Sequence, residues 1–417
     1  MTQLTLRRFS GNSETTNVEE KMKTTISTKH CTRPLIATGF ALLVTAAIAL
    51  VLPARAGAKD VKIDWQQTGA PVGSGYLPRV ASDGGNATDG SVNTANIYQD
   101  ATGFAEFGFQ TGFFDGGSTV GWNSATNIQA EVGHEASIAM TSYCIDSECD
   151  QSGDAAIEVH QGGQDNGSLL WYRIGQGNVI NVAESSSGLV WADTGVDYDH
   201  GYNPTVAIDY SGLEGLTPTI VEVHQAGVNF SDLWYHVGVY NIGTNSTVSL
   251  QGAVNSGFQG YSPTVSVSEN LAALVAQGSD GTLWYSLGVV NTSNGTIAWN
   301  TPTTYTNGYN PTISLYETGD SFNGDWDVVE AHQANNNATG QLFYRTGHMS
   351  VSSKGGYPTA IKWTTKGGNA EYATGCYPSV TLFRIPDIGA PYLVETHSAD
   401  CGEVSDIVSD LGFFEFD

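Results

Sequence analysis

The run Val221-Glu222-Val223-His224-Gln225, followed by Leu233-Trp234-Tyr235-His236-Val237-Gly238, decides the reading of this chain because both halves recur. They return as Ile157-Glu158-Val159-His160-Gln161 with Leu170-Trp171-Tyr172-Arg173-Ile174-Gly175. They return again as Val329-Glu330-Ala331-His332-Gln333 with Leu342-Phe343-Tyr344-Arg345-Thr346-Gly347. A worn copy keeps Gln277 with Leu283-Trp284-Tyr285-Ser286-Leu287-Gly288. Each half alternates apolar and polar residues, and a short turn rich in Gly, Asn and Asp joins the two. That is the signal of a β-hairpin. A supersecondary unit repeated along a chain points to a propeller or a solenoid.

Six units follow when the copies are aligned on Tyr98, His160, His224, Ala276, His332 and His397. A Gly-Tyr-x-Pro phrase precedes the first strand of most units: Gly75-Tyr76-Leu77-Pro78, Gly201-Tyr202-Asn203-Pro204, Gly260-Tyr261-Ser262-Pro263 and Gly308-Tyr309-Asn310-Pro311. The second unit has Gly133-His134-Glu135-Ala136 there, and the sixth has Gly375-Cys376-Tyr377-Pro378. Read as a turn, the phrase places Pro where a strand needs no ladder donor. A fourth strand ends in an Ile-x-Trp-like run, at Trp122, Trp191, Trp299 and Trp363, with Leu250 in the third unit.

The two ends of the repeat array complement each other. Ile63-Asp64-Trp65 is a fourth strand with no unit of its own, and the sixth unit stops after its third strand. The expected fold is therefore all-β: a six-bladed β-propeller with four antiparallel strands per blade, closed by the N-terminal strand joining the last blade. A solenoid would need atypical capping repeats, and the sequence shows none.

Lys21, Lys23, Lys29 and Arg33 precede an apolar run from Leu35 to Leu52, and Ala54-Arg55-Ala56 follows. That order predicts a signal peptide over residues 1–56, with Met22 as an alternative start, and a propeller domain over 57–417. The expected location is secreted, periplasmic or extracellular. The net charge is −26, with 42 acidic against 16 basic residues. Cleavage removes seven basic residues (Arg7, Arg8, Lys21, Lys23, Lys29, Arg33 and Arg55) but only Glu14, Glu19 and Glu20, so the exported part is more acidic still. Such a surface repels phosphate backbones and anionic membranes, which excludes nucleic acid and, after cleavage, membrane as partners. Glycans, cationic partners and divalent cations remain.

Cys31 leaves with the signal, and four cysteines stay. An even count behind an export signal predicts two disulfides, Cys144–Cys149 and Cys376–Cys401. No CxxC or His/Cys cluster marks a metal site. Asp-rich turns at Asp146–Asp154 and Asp320–Asp327 suit calcium, though most such runs are solvated loops. No other cofactor is expected.

Within the second strand, alternation sets Glu222 and His224 on one face and Val221, Val223 and Gln225 on the other. The fourth unit replaces the pair together, with Leu274 and Ala276. One reading is a structural Glu–His hydrogen bond, since buried polar groups must be paired. The other is a ligand site. The Gly-Tyr-Asn-Pro phrase, the end of the second strand and the start of the third fall on one rim. Candidate carbohydrate-binding residues are thus Tyr202, Asn203, His224, Gln225 and Trp234 in the third unit, His160, Gln161 and Trp171 in the second, and Tyr309, Asn310, His332 and Gln333 in the fifth. Aromatic rings take the C–H face of a sugar while amides and imidazoles take its hydroxyls. The competing role for Trp171, Trp234 and Trp284 is blade packing. Trp65, Trp122, Trp191, Trp299 and Trp363, in outermost strands, are expected to seal neighbouring blades.

A catalytic reading has less to rest on. The exported part holds no G-x-S-x-G elbow. Sialidases clamp a carboxylate with several arginines, and only Arg79, Arg173, Arg345 and Arg384 remain. A glycosidase needs unlike acids at one site, whereas Glu158, Glu222, Glu330 and Glu395 are repeat-equivalent.

The phrases Val-Glu-Val-His-Gln, Leu-Trp-Tyr-His-Val-Gly and Gly-Tyr-Asn-Pro-Thr-Val-Ala resemble a repeat of secreted bacterial β-propeller proteins. In architecture the chain is similar to propeller lectins of the fucose-lectin type. The resemblance implies a lectin-like function, without the Arg–Glu–Trp sugar clamp, because Arg recurs only at Arg173 and Arg345. The expectation is a monomer binding glycans through several similar rim sites that gain by avidity. A propeller-type glycoside hydrolase with one central site, and an extracellular interaction scaffold, are the alternatives.

Overall fold

Alternation of apolar and polar residues carries through into an all-β structure with no helix among the described residues. The computed structural model describes residues 61–416, except 85–90, 125, 145–151, 163–168, 178–188, 193, 210–216, 243–245, 319–324, 337–338, 351–356, 385–389 and 403. The expected signal peptide lies outside these residues, as do Cys149, with its expected bridge to Cys144, and much of both Asp-rich turns.

All strand pairs are antiparallel, and each hairpin forms in the register of the repeat. In the third unit Tyr202–Asp209, Thr219–Gln225 and Ser231–Asn241 pair in order, and Thr247–Leu250 and Val254–Ser268 complete the meander. Four long strands each serve two consecutive meanders. Thr126–Cys144 pairs through Asn127 with Gly108 and through Ser137 with Val159. Val254–Ser268 and Lys362–Arg384 behave alike. Val61–Ser82 does the same for the two ends of the chain. Its first half pairs with Ser405–Phe416, Asp64 opposite Phe413, and its second half pairs with Val92–Gln99. The strands assemble into a 15-stranded and a 9-stranded sheet. The two sheets part at Gly201 and Gly308, where the strand is interrupted between His200 and Tyr202 and between Asn307 and Tyr309.

The Gly-Tyr-x-Pro phrase differs from its expected form. It is a bulge inside a nearly continuous strand rather than a turn that starts one. Every one of the six phrases carries a register shift at its centre. Each places its third residue in the left-handed region: Leu77 at φ 52, Glu135 at 56, Asn203 at 49, Ser262 at 44, Asn310 at 49 and Tyr377 at 55. An extra residue at a bulge bends the strand and re-aims a side chain. For Leu, Glu, Ser and Tyr that conformation is strained.

The leading glycine of the phrase has a packing reason. A Cβ on Gly201 would stand 2.3 Å from His224 Cδ2, and one on Gly308 would stand 2.5 Å from His332 Cδ2. Each imidazole therefore lies in the notch a missing side chain leaves.

Neighbouring units are joined by polar contacts between first strands and, at Glu269, the turn just after one. Val206 N–H donates to Ser137 Oγ at 3.3 Å, Glu269 N–H to Asp209 Oδ2 at 2.6 Å, and Leu315 N–H to Ser266 Oγ at 3.0 Å. Leu382 N–H donates to Ser314 Oγ at 2.9 Å. The sixth and first units meet in the same way, Val80 N–H donating to Ser379 Oγ at 3.0 Å. First-strand residues of all six units line one cavity of 180 Å³.

Outer tryptophans pack where expected. Trp299 meets Tyr235 of the preceding unit edge-on at 6.1 Å, Trp363 meets Tyr285 at 6.0 Å, and Trp65 meets Tyr344 at 5.8 Å. The same tyrosine hydroxyls accept N–H groups of the next unit's outer strand, from Ile297, Ile361 and Ile63. Cys376 and Cys401 form a disulfide with Cα atoms 5.4 Å apart.

Candidate functional site

Where the six bulges converge, the chain encloses a recess of 620 Å³. The left-handed residue of every phrase lines it: Leu77, Glu135, Asn203, Ser262, Asn310 and Tyr377. One backbone device thus presents six different side chains to one space. Tyr76, Tyr261 and Tyr309 add aromatic residues to the lining, and Asp280, Asn336 and Arg79 add charged and polar ones.

The glutamines of the second strands hold this lining in place. Gln99 Oε1 accepts the Glu135 N–H at 2.9 Å, Gln225 Oε1 the Ser262 N–H at 2.9 Å, and Gln333 Oε1 the Tyr377 N–H at 2.8 Å. In each case the donor belongs to the next unit. The bulge exposes an N–H that the ladder no longer pairs, and the glutamine of the preceding unit satisfies it. Asn310 Nδ2 donates to the same Gln333 oxygen at 2.6 Å. The Asn203 amide lies between Gln225 and the Glu135 carboxylate.

The residues singled out from sequence divide into two groups. Asn203, Tyr309 and Asn310 line the recess. His160, Gln161, His224, Gln225, His332 and Gln333 are buried. The three histidines bond through Nδ1 to the glutamate two residues before, at 2.9 Å for His160–Glu158, 3.2 Å for His224–Glu222 and 3.1 Å for His332–Glu330. The sixth unit repeats the pair, His397 to Glu395 at 2.9 Å. Trp171 and Trp234 are half-buried, cross-strand from His160 and His224, and Tyr202 is half-buried opposite Gln225.

The recess is electrostatically uneven. Glu135 and Asp280 bring carboxylates, and Arg79 brings a guanidinium. Burial draws the Arg79 pKa down while the Glu135 charge opposes the shift, and an arginine stays cationic in either case. Tyr76 and Tyr377 share a hydroxyl–hydroxyl bond of 3.0 Å with rings edge-on at 5.2 Å. Burial, then that bond, pushes the Tyr76 pKa upward. Asp280 is held below the usual carboxylate range by the Thr282 hydroxyl and N–H. Together these groups place aromatic rings, amides and carboxylates around one pocket.

Sequence reasoning missed Tyr76, Arg79, Glu135, Tyr261, Ser262, Asp280 and Tyr377. The overlooked signal was the third position of Gly-Tyr-x-Pro, which changes from unit to unit while its neighbours repeat. A second hollow of 480 Å³ lies beside Phe258, Trp284 and Trp299, with Gln259 and Asn300 at its edge. It belongs to the fourth unit, which looked degenerate in sequence.

No protein-family model matches the sequence, and no curated protein matches it. Among solved structures, it is similar to the Trypanosoma rangeli sialidase in complex with the inhibitor DANA, at TM-score 0.43 and 10% identity. That match covers 84% of this chain and spans 58% of the sialidase. It is also similar to the parainfluenza virus 5 hemagglutinin-neuraminidase ectodomain, at TM-score 0.45 and 7% identity, covering 86% of this chain and 85% of that one. A mutant of the Aleuria aurantia lectin in complex with alpha-methyl-L-fucoside is similar at TM-score 0.41 and 12% identity, over 81% of this chain and 96% of the lectin. What those proteins bind is a property of those proteins.

Proposed function

We propose that this chain is a secreted, monomeric carbohydrate-binding β-propeller of six four-stranded blades, released by cleavage of the signal peptide at residues 1–56. Support for a closed ring comes from the pairing of Val61–Ser82 with both chain ends, and from the Val80–Ser379 contact that repeats those between other units. The observation that carries the function is the lining of the 620 Å³ recess, with tyrosines beside Asn203, Asn310 and Glu135. Its size falls within the usual range for small-molecule pockets, about 300–1,000 Å³. A sugar offers apolar C–H faces and hydroxyls at fixed angles, and this lining offers partners for both.

In this reading Tyr309, Asn310 and Asn203 touch the ligand. Tyr202, Trp171 and Trp234 border the same rim, and His160, Gln161, His224, Gln225, His332 and Gln333 support it from beneath. Several similar half-sites around one mouth would add avidity on a polysaccharide or cell surface. No metal is required for this contact set. The exported chain should bind on a glycan array, and Tyr309→Ala together with Asn310→Ala should abolish the signal. An unchanged array pattern in that variant would refute the recess as the site.

Glycoside hydrolysis is a second reading, favoured by two unlike acids, Glu135 and Asp280, on one recess. Such chemistry needs paired carboxyl groups in different environments. Turnover of a bound glycan that disappears in Glu135→Gln, with binding retained, would move the protein into that class.

A further inference from the structure

The Glu–His pair of the third unit stands in surroundings its siblings lack. His236 Nδ1 lies 2.6 Å from the Gln251 carbonyl oxygen, which only accepts, so this nitrogen carries the proton. In that tautomer Nε2 presents a lone pair, and 2.8 Å from it is Asp199 Oδ2, another acceptor. His224 repeats the geometry. Its Nδ1 faces the Glu222 carboxylate at 3.2 Å, and its Nε2 lies 3.6 Å from the same Asp199 oxygen. Two imidazole lone pairs and one carboxylate oxygen therefore converge, all within 4.8 Å of one another. Like ends facing each other in a largely buried place require a positive charge between them.

Sibling units show what fills that requirement. The cross-strand partner of the second-strand glutamate is Arg173 for Glu158 and Arg345 for Glu330, but His236 for Glu222 and Asp410 for Glu395. A permanent cation occupies that place in the second and fifth units and is missing from the third. The third unit also receives an additional acid. Asp199 comes from the fourth strand of the second unit, where the matching positions are Thr306 and Ala373. A unit with one more carboxylate and one fewer guanidinium is short of positive charge.

We propose that Asp199, His224 and His236 bind a divalent transition-metal cation of the zinc type. A single proton shared by His236 Nε2 and Asp199 Oδ2 would leave the His224 Nε2 facing them unpaired, whereas a metal ion satisfies all three. Zinc takes imidazole nitrogen and carboxylate oxygen at about 2.0–2.2 Å, which sets neighbouring donors about 3.4 Å apart in a tetrahedron. The 2.8 and 3.6 Å separations bracket that edge. Both rings already carry the outer contacts of metal-bound histidines, a carbonyl on one Nδ1 and a carboxylate on the other. Calcium prefers an all-oxygen shell, so these two nitrogens select against it. The Asp199 side chain is 27% exposed, which leaves a route for the ion and room for a water as fourth ligand. The ion would join the 15-stranded sheet, through Asp199, to the 9-stranded sheet that holds both histidines.

Metal-free exported protein, titrated with zinc chloride alone and then dialysed, tests this directly. The expected result is retention of about one zinc per chain, with cobalt(II) giving a tetrahedral absorption band and calcium failing to compete. His236→Arg copies the second and fifth units, so it should keep the fold while zinc retention drops to background. Asp199→Asn, on the sheet edge, should weaken retention at least about tenfold. A folded wild type that retains no zinc would overturn the proposal. So would undiminished retention in both variants, which would assign the metal to other histidines.

Discussion

The fifth and fourth units share a strand register and differ in what they bury. The fifth holds Glu330, His332 and Arg345 on one face, and the fourth holds Leu274, Ala276 and Ser286 at the matching places. Both are closed to solvent at the glutamate and histidine positions, Glu330 at 0% and Leu274 at 0% exposure. Three polar groups are exchanged together for two apolar ones and a hydroxyl, which Ser286 directs to the Asn300 carbonyl. In the fifth unit His332 bonds to Glu330, and Arg345 donates to the Tyr305 carbonyl while lying over the Tyr305 and Trp363 rings. The comparison teaches that the polar set is exchanged as a group and is not a requirement of the unit's register. A buried charge network and a well-packed apolar replacement can be close in free energy, while half a network is costly.

The largest effect should come from splitting the group. Glu330→Leu leaves the buried His332 without its carboxylate and removes the acid cross-strand from Arg345, and should cost about 3–5 kcal/mol. Adding His332→Ala and Arg345→Ser to rebuild the fourth-unit set should recover most of that loss. Denaturant melts of the single and triple variants check the difference, and additive losses would break the comparison.

A smaller effect is expected at the glycine notch. Gly308→Ala would drive a Cβ to 2.5 Å from His332 Cδ2 and 2.9 Å from the Gln333 carbonyl. The expected cost is about 1–3 kcal/mol. Gly260→Ala in the fourth unit meets Ala276 Cβ at 2.9 Å and should cost less, because Leu233 and Trp284 stand at 3.2 Å or beyond. Thermal melts of the two variants rank them.

The sixth unit sharpens the comparison through pH. There Asp410, not Arg, faces Glu395. Burial, then the Glu395 charge, raises the Asp410 carboxyl from 3.8 to about 6. A carboxyl whose folded pKa lies above its unfolded value binds a proton preferentially in the folded state. Its contribution is favourable below pH 3.8 and is lost as pH rises toward about 6. Asp410→Asn removes this dependence and should be about 1–2 kcal/mol more stable than wild type at pH 7. The two should converge below about pH 4, and melts across that range read it.

Much of the strand order was legible in the sequence. The alternation in Val221–Gln225 and its copies gave the second strands, and the surplus Ile63–Trp65 run does pair with the final strand, opposite Gly412–Phe414. The Cys376–Cys401 bridge and the sealing tryptophans were also readable, since both follow from place within a repeat. The bulge was not. A period-two pattern assigns faces only while the register holds, and Gly-Tyr-x-Pro shifts it by adopting a left-handed residue that propensity alone argues against. For that reason Asn203 and Asn310 were found but Glu135, Ser262 and Tyr377 were not. The Asp199, His224 and His236 cluster was hidden differently, since its members lie on three strands of two sheets and share no spacing motif.

The most direct test of the carbohydrate reading is calorimetric titration of residues 57–417 with their best array glycan, beside Tyr309→Ala and Trp284→Ala. Binding in the recess predicts at least about tenfold weaker affinity for Tyr309→Ala, the loss of one buried aromatic contact, with Trp284→Ala unchanged. Equal affinity for Tyr309→Ala and wild type, or a loss confined to Trp284→Ala, would contradict it and place the ligand away from the six bulges.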